Sequence, residues 1–142
     1  MNVLVDTSVW SLAFRRKAED LSAGENIIVA ELSELVKDGR ARIFGLIRQE
    51  LLSGIRSAAQ YEKLRSALRS FPDVVIDISD YESAAKASNE CRAKGLVVFI
   101  VDILICEIAL SRDWLIFTTD PDFDHYAKVL PIKLHKPRRM SK

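Results

Sequence analysis

A chain of 142 residues, 49% apolar and 29% charged, suits a single soluble domain with one sizeable core. No apolar run reaches the roughly 18–20 residues that span a bilayer, and no export signal opens the chain, so a cytoplasmic location without membrane contact is expected. A net charge of +1 argues neither for nor against a nucleic-acid partner, and two cysteines and two histidines without four-ligand spacing argue against zinc.

The run Val3-Leu4-Val5, short, apolar and mostly β-branched, predicts a buried strand over residues 2–5. A helical stretch follows over 8–14. Ser22-Ala23-Gly24-Glu25 is a capping-box pattern, with Ile28, Leu32, Leu35 and Val36 at helical spacing and Gly39 as the stop. Arg42-Ile43-Phe44 suits a second strand and puts Glu50 in the first turns of another helix. Tyr61, Leu64 and Leu68 share one face of a helix ending near Phe71-Pro72. Val74-Val75-Ile76 reads as a strand. Ser79-Asp80-Tyr81-Glu82 is a second capping-box pattern, opening a helix that runs to Lys94 and stops at Gly95. Residues 102–110 read as a helix, 114–117 as a strand and 132–134 as a last short strand.

Strands separated by helices of about ten residues or more imply right-handed crossovers. The predicted fold class is therefore α/β: one three-layer domain over residues 1–135, with a mostly parallel central sheet of about five short strands flanked by helices. Residues 136–142 make a basic C-terminal tail carrying Lys136, Arg138, Arg139 and Lys142.

Ligands of parallel sheets bind beyond the carboxyl ends of the strands. Asp6 directly follows the first strand, and Asp120 comes shortly after Phe117. Asp102 opens a helix, where the dipole favours an anion by roughly 0.3–1 kcal/mol. Topology thus brings these three to one edge, and Glu50 is a fourth acid beside residues that read as buried. Buried carboxylates are normally paired or bound to metal, and these segments carry no matching base. Carboxylates crowded within about 4–6 Å resist joint ionisation. Mg²⁺ or Mn²⁺ removes that conflict, lowers the pKa of a bound water and offsets charge growing on a phosphodiester.

The remaining inventory points the same way. His125 and His135 do not form a cooperating pair, and no nucleophile elbow, glycine-rich phosphate loop or dinucleotide fingerprint occurs. Singly, each acid has a simpler explanation: Asp6 and Asp102 as helix caps, Glu50 as a first-turn acid, Asp120 as a turn former. Those explanations leave their recurrence after apolar segments unaccounted for. Asp122 and Asp124 read as capping or flanking the short helix of Phe123, and Trp10, Phe14, Trp114 and Phe123 as core or interface. Cys91 and Cys106 read as reduced, partly buried thiols.

Together, Val3-Leu4-Val5-Asp6-Thr7-Ser8, Glu50-Leu51-x-x-Gly54, Asp102-x-Leu104-Ile105 and Thr118-x-Asp120-x-x-Phe123 resemble the PIN-domain nuclease family, above all the VapC-type toxins of bacterial toxin–antitoxin pairs. The motifs follow the family's order and span nearly the whole chain. The resemblance implies an Mg²⁺- or Mn²⁺-dependent endoribonuclease that hydrolyses RNA phosphodiester bonds by attack of a metal-bound water. On the matching positions Asp6, Glu50, Asp102 and Asp120 would be the catalytic and metal-holding set. Thr118 would hydrogen-bond within it, and Thr7 or Ser8 would orient Asp6 or a water. A small cognate antitoxin and a homodimer are also implied, with apolar positions in 8–36 and 55–71 suited to an antitoxin groove.

Two positions depart from the family's pattern. Cys106 and Glu107 follow Ile105 where small residues are usual, with Cys106 on the face of Asp102 and Glu107 turned toward the surface. Thr119 stands where a base is frequent, so Arg48 or the Arg15–Lys17 run is expected to hold RNA instead. Two other classes stay open: a phosphoryl-accepting receiver, with Asp77 as acceptor but no lysine after the late strand, and a PIN-like module that only binds RNA or protein.

Overall fold

Three short parallel strands form the centre of a computed structural model that describes residues 1–138. Arg139 and Lys142 of the expected basic tail lie outside the described residues. The strands are β1 (Val3–Val5), β2 (Ala41–Arg42) and β3 (Leu115–Phe117), in the order β2-β1-β3. Val3, Leu4 and Val5 are all fully buried. A parallel strand covered on both faces has no polar side to show, which is why this run is continuous rather than alternating.

Helices α1 (Thr7–Phe14) and α2 (Ala23–Lys37) connect β1 to β2, with a 3₁₀ turn at Ala18–Asp20 between them. Four more, α3 (Gly45–Leu52), α4 (Ala58–Leu68), α5 (Ile78–Ala93) and α6 (Ile100–Arg112), lead to β3, and α7 (Asp122–Tyr126) follows it. The α6 helix packs on β1 and β3, and α2 on β2. This is the expected α/β architecture, a parallel sheet flanked by helices. None of the described helices is long and apolar enough to cross a membrane.

Local signals set several boundaries. The Ser22 hydroxyl accepts from the Glu25 amide at 3.1 Å, and the Glu25 carboxylate accepts from the Ser22 amide at 2.9 Å, so α2 opens on the expected capping box. Gly39 and Gly95, the two expected stops, have φ of 70° and 84°, the left-handed region where a side chain is strained.

Two expected strands reduce to single parallel bridges at the sheet's edges, Ile43 to Asp73 and Ile116 to Leu134. The sheet therefore has three strands rather than about five. Pro72 supplies no amide before the 74–76 segment. The Val75 carbonyl accepts from Arg112 Nη2 at 2.8 Å instead of pairing along a strand, and its side chain is 81% exposed. The second capping box is also displaced, to Asp77 and Asp80. Each carboxylate there accepts the other residue's amide at 3.0 Å, and Arg112 draws Asp80 inward with a 3.1 Å ion pair.

The described end of the chain packs along α2. Pro137 is buried, and Glu31, 5% exposed, takes His135 at 2.6 Å and Arg138 at 3.2 Å. Arg138 also reaches Asp38 at 3.1 Å.

Candidate active site

At the end of β1 the chain turns directly into α1, leaving Asp6 at the carboxyl edge of the sheet. Two hydrogen bonds fix that turn. The Asp6 amide donates to the Phe117 carbonyl of β3 at 2.9 Å, and the fully buried Trp10 donates its indole N–H to the Val5 carbonyl at 3.0 Å. Asp6 stands at the N-cap of α1 but makes no capping bond with its side chain. Its Oδ2 instead accepts from Ser8 Oγ and Thr118 Oγ1, each at 2.8 Å. Only 5% of Asp6 is exposed; burial pushes its carboxyl above the ordinary carboxylate range, and the two hydroxyls pull it partly back.

Thr118 links the first and last motifs. Besides donating to Asp6, its Oγ1 accepts the Asp120 amide at 3.0 Å, and Asp120 Oδ1 accepts the Asp122 amide at 2.9 Å. The Thr119 amide donates to Ser8 Oγ at 3.0 Å. The turn after β1 and the loop after β3 are thus braced by uncharged donors alone.

Asp102 is the third residue of α6, in the first turn, where the helix dipole favours an anion. Burial, with further repulsion from Asp6, Asp120 and Asp122, raises its carboxyl to about 7, against the opposing hydrogen bond from Tyr126. That bond runs from Tyr126 Oη to Asp102 Oδ2 at 3.0 Å. Glu50, on α3, is exposed, and its Oε1 accepts from Thr7 Oγ1 at 2.6 Å. Ser8 therefore orients Asp6, while Thr7 orients Glu50.

Asp6, Glu50, Asp102 and Asp120 all line one open cleft of about 560 Å³. Asp102, Asp120 and Asp122 each bring a carboxylate oxygen within 4.8 Å of the other two. Among the described residues none of these five acids forms an ion pair. Three close carboxylate oxygens without a neutralising base are a donor set suited to a hard divalent cation.

Sequence reasoning passed over two members of this cluster. Asp122 read as a helix cap; the signal was its spacing from Asp120 across Pro121, which turns both carboxylates to one side. Tyr126 carried a weaker signal, being one helical turn beyond Asp122 and so on the same face.

The donors of Arg48, one of the groups expected to hold RNA, are engaged within the fold. Its Nε and Nη2 grip Asp73 Oδ1 at 3.0 and 2.8 Å, Nη1 donates to the Leu68 carbonyl at 2.8 Å, and Nη2 also donates to the Phe71 carbonyl. It ties α3 to the turn after α4. Arg16 is engaged with Asp20 and Glu25, whereas the Arg15 guanidinium lies beside Gly54, next to the cleft residue Ser53. Glu107 is half-buried and faces Glu90 and Asp80. Cys106 is fully buried near Asp102, and burial pushes its thiol up.

A parallel α/β sheet with an acidic cleft at its carboxyl edge is the class that fold and site define. The chain belongs to the PIN-domain nuclease family: the family model, PIN domain, matches residues 3–129. No curated protein sequence matches it. Among solved structures it is similar to a chain of FitAcB from Neisseria gonorrhoeae, at 17% identity and a TM-score of 0.74, covering 97% of this chain and 99% of that one. It is also similar to a chain of VapBC2 from Rickettsia felis, bound to a promoter DNA fragment, at 15% identity and a TM-score of 0.72, covering 95% and 98%. A third likeness is to VapBC-1 from nontypeable Haemophilus influenzae, at 16% identity and a TM-score of 0.67, covering 96% and 98%. The family assignment replaces the receiver alternative, and Asp77, its required phosphoacceptor, is occupied as the N-cap of α5.

Proposed function

We propose that this protein is a metal-dependent endoribonuclease acting in the cytoplasm as the toxin of a toxin–antitoxin pair. The observation that carries the reading is the group of acids at the sheet's carboxyl edge, braced by hydroxyls and without an ion-pair partner among the described residues. Asp102, Asp120 and Asp122, with Asp6, would hold Mg²⁺ or Mn²⁺, and Glu50 would stand at the mouth of the same cleft. When bound, the cation would offset the charge that grows on the phosphodiester and make a water more acidic.

The chain's own groups do the rest. Thr7 fixes Glu50 through Oε1, leaving Oε2 to accept a proton from the attacking water. Oxygen adds to phosphorus, the bond from phosphorus to O3′ breaks, and the departing O3′ takes a proton. The products then carry 5′-phosphate and 3′-hydroxyl ends. Arg15, beside Gly54 at the cleft's rim, is placed to hold a backbone phosphate of single-stranded or looped RNA.

The fold neighbours FitAcB and VapBC support a small antitoxin partner. Phe14, Val36 and Tyr61, each more than a third exposed within the expected 8–36 and 55–71 regions, offer it apolar anchors. A homodimer would use the apolar groove along α5, which runs from Tyr81 to Arg92 over Ile100 and Leu104.

The test is cleavage of a mixed RNA pool by purified protein with Mg²⁺ or Mn²⁺, beside an EDTA control and Asp6→Asn. Cutting that needs metal and is lost in a well-folded Asp6→Asn protein is the expected result. Undiminished cutting by that variant would remove the acids from the mechanism. Binding of RNA and metal without cutting would favour a binding module instead. Expression alone should slow growth, with relief by a neighbouring small reading frame.

A further inference from the structure

We propose that Tyr126 is a positioning residue of this site: its hydroxyl holds the Asp102 carboxylate in the rotamer that brings it within reach of Asp120 and Asp122. The inference rests on the metal-dependent reading above.

Tyr126 is fully buried, and its ring is locked edge-on against Phe123, with centroids 5.4 Å apart and planes at 84°. Its Oη donates to Asp102 Oδ2 at 3.0 Å. Asp6 is held by two hydroxyls, and Asp120 is tied through its own amide and that of Asp122. The Tyr126 bond is the one side-chain hydrogen bond on Asp102 among the described residues. A half-buried carboxylate with no restraint samples several rotamers. Restrained at Oδ2, it keeps Oδ1 free of hydrogen bonds and presents it in a single orientation.

The donor type matters as much as the bond. Lysine or arginine at this point would neutralise Asp102 and compete with an incoming cation, whereas a phenol donates without adding charge. Position matters too. Tyr126 ends α7, the short helix that begins at Asp122 just beyond Asp120. One five-residue element therefore sets the Asp120–Asp122 turn at its start and the Asp102 rotamer at its end.

A buried tyrosine needs a partner for its hydroxyl whatever the site does, so the test separates orientation from packing. Mn²⁺ binding to the full chain would be measured by calorimetry for wild type, Tyr126→Phe and Leu35→Ala, beside thermal melts and cleavage kinetics. Tyr126→Phe keeps the ring and removes only the hydroxyl, which also faces the Phe99 amide at the N-cap of α6. It should melt near wild type, bind Mn²⁺ about 10-fold more weakly or worse, and lose kcat with an unchanged KM for RNA. Leu35→Ala, a fully buried position on α2 away from the cleft, should melt lower yet keep the wild-type Mn²⁺ affinity. Equal Mn²⁺ affinity in Tyr126→Phe and wild type would overturn the assignment and leave the nuclease reading intact. So would an equal loss in Leu35→Ala, which would make the effect of Tyr126 one of general packing. A wild-type protein that binds no Mn²⁺ would overturn both.

Discussion

Replacing Asp102 with asparagine should make the metal-free protein more stable while destroying its metal site. The Asp102 carboxyl is raised from 3.8 to about 7 by burial and by its acidic neighbours. An unfolded chain releases that proton near pH 4, whereas the folded protein keeps it until about pH 7. Between those values the native state binds more protons, so wild-type stability falls as pH rises through this window and stays low above it. A tenfold change in proton affinity is about 1.4 kcal/mol, so the displacement from 3.8 to about 7 bounds the penalty at about 4 kcal/mol. Asp102 is only half-buried, and solvent screening reduces the expected value to roughly 1–2 kcal/mol. Asparagine keeps an acceptor for Tyr126 and carries no charge at any of these pH values.

The assay is urea unfolding in EDTA at pH 8 and at pH 4.5. Asp102→Asn should have the higher midpoint at pH 8, with an unchanged slope, and most of that gain should vanish at pH 4.5, where folded Asp102 is already neutral. Adding Mn²⁺ at about 100 times its Kd should raise wild-type stability by about 2.7 kcal/mol and leave the variant unmoved. A gain of the same size at both pH values, or none at pH 8, would refute the electrostatic account.

Thr118→Val removes both the donor to Asp6 and the acceptor of the Asp120 amide. Metal-dependent cleavage should fall about 10–100-fold and stability by about 1–2 kcal/mol, with Thr118→Ser recovering most of each in cleavage and melting assays. Arg48→Ala leaves the Leu68 and Phe71 carbonyls and Asp73 without their guanidinium. It should cost about 2–4 kcal/mol in urea unfolding while KM for RNA stays put, and a raised KM with unchanged stability would restore the RNA-holding role.

The convergence of Asp6, Asp102 and Asp120 on one cleft was legible in the sequence because topology dictates it, whereas Glu50, within α3, joined them through the family resemblance. Strands that must lie parallel discharge their following residues at one edge, and apolar runs such as Val3–Val5 mark which segments are those strands. The 74–76 segment was misread because a β-branched triplet looks the same whether it joins a sheet or lies over one. Pro72 and the claim of Arg112 on the Val75 carbonyl decide the matter, and a partner 37 residues away leaves no local trace. Arg48 fails for the same reason, since the carbonyls it satisfies come from another helix end. The Ser79–Glu82 pattern met the capping rule, yet Asp77 and Asp80 met it equally and Arg112 favours the inner pair. Tyr126 left only its helical spacing from Asp122 as a trace, because a tyrosine at a core position reads as packing until its hydroxyl is seen to end on a carboxylate.

What remains is why hydroxyls, rather than cations, hold these acids. A buried carboxylate is satisfied more strongly by arginine than by serine, and Asp80 with Arg112 is such a pair in this same chain. Around Asp6 and Asp102 the donors are Ser8, Thr118 and Tyr126. Each satisfies a lone pair and fixes a rotamer without cancelling negative charge. Repulsion is therefore retained, and at Asp102 it adds to the burial that raises the carboxyl, whereas burial alone raises that of Asp6. A fold selected only for stability would have neutralised the cluster, since removing crowded charge stabilises a native state. Keeping it charged but geometrically fixed costs the empty protein stability and leaves a field that a divalent cation can discharge. The Asp102→Asn and Tyr126→Phe variants separate these two components: the first removes the charge and keeps the geometry, and the second frees the geometry and keeps the charge. Both should weaken Mn²⁺ binding, but only the first should stabilise the metal-free fold.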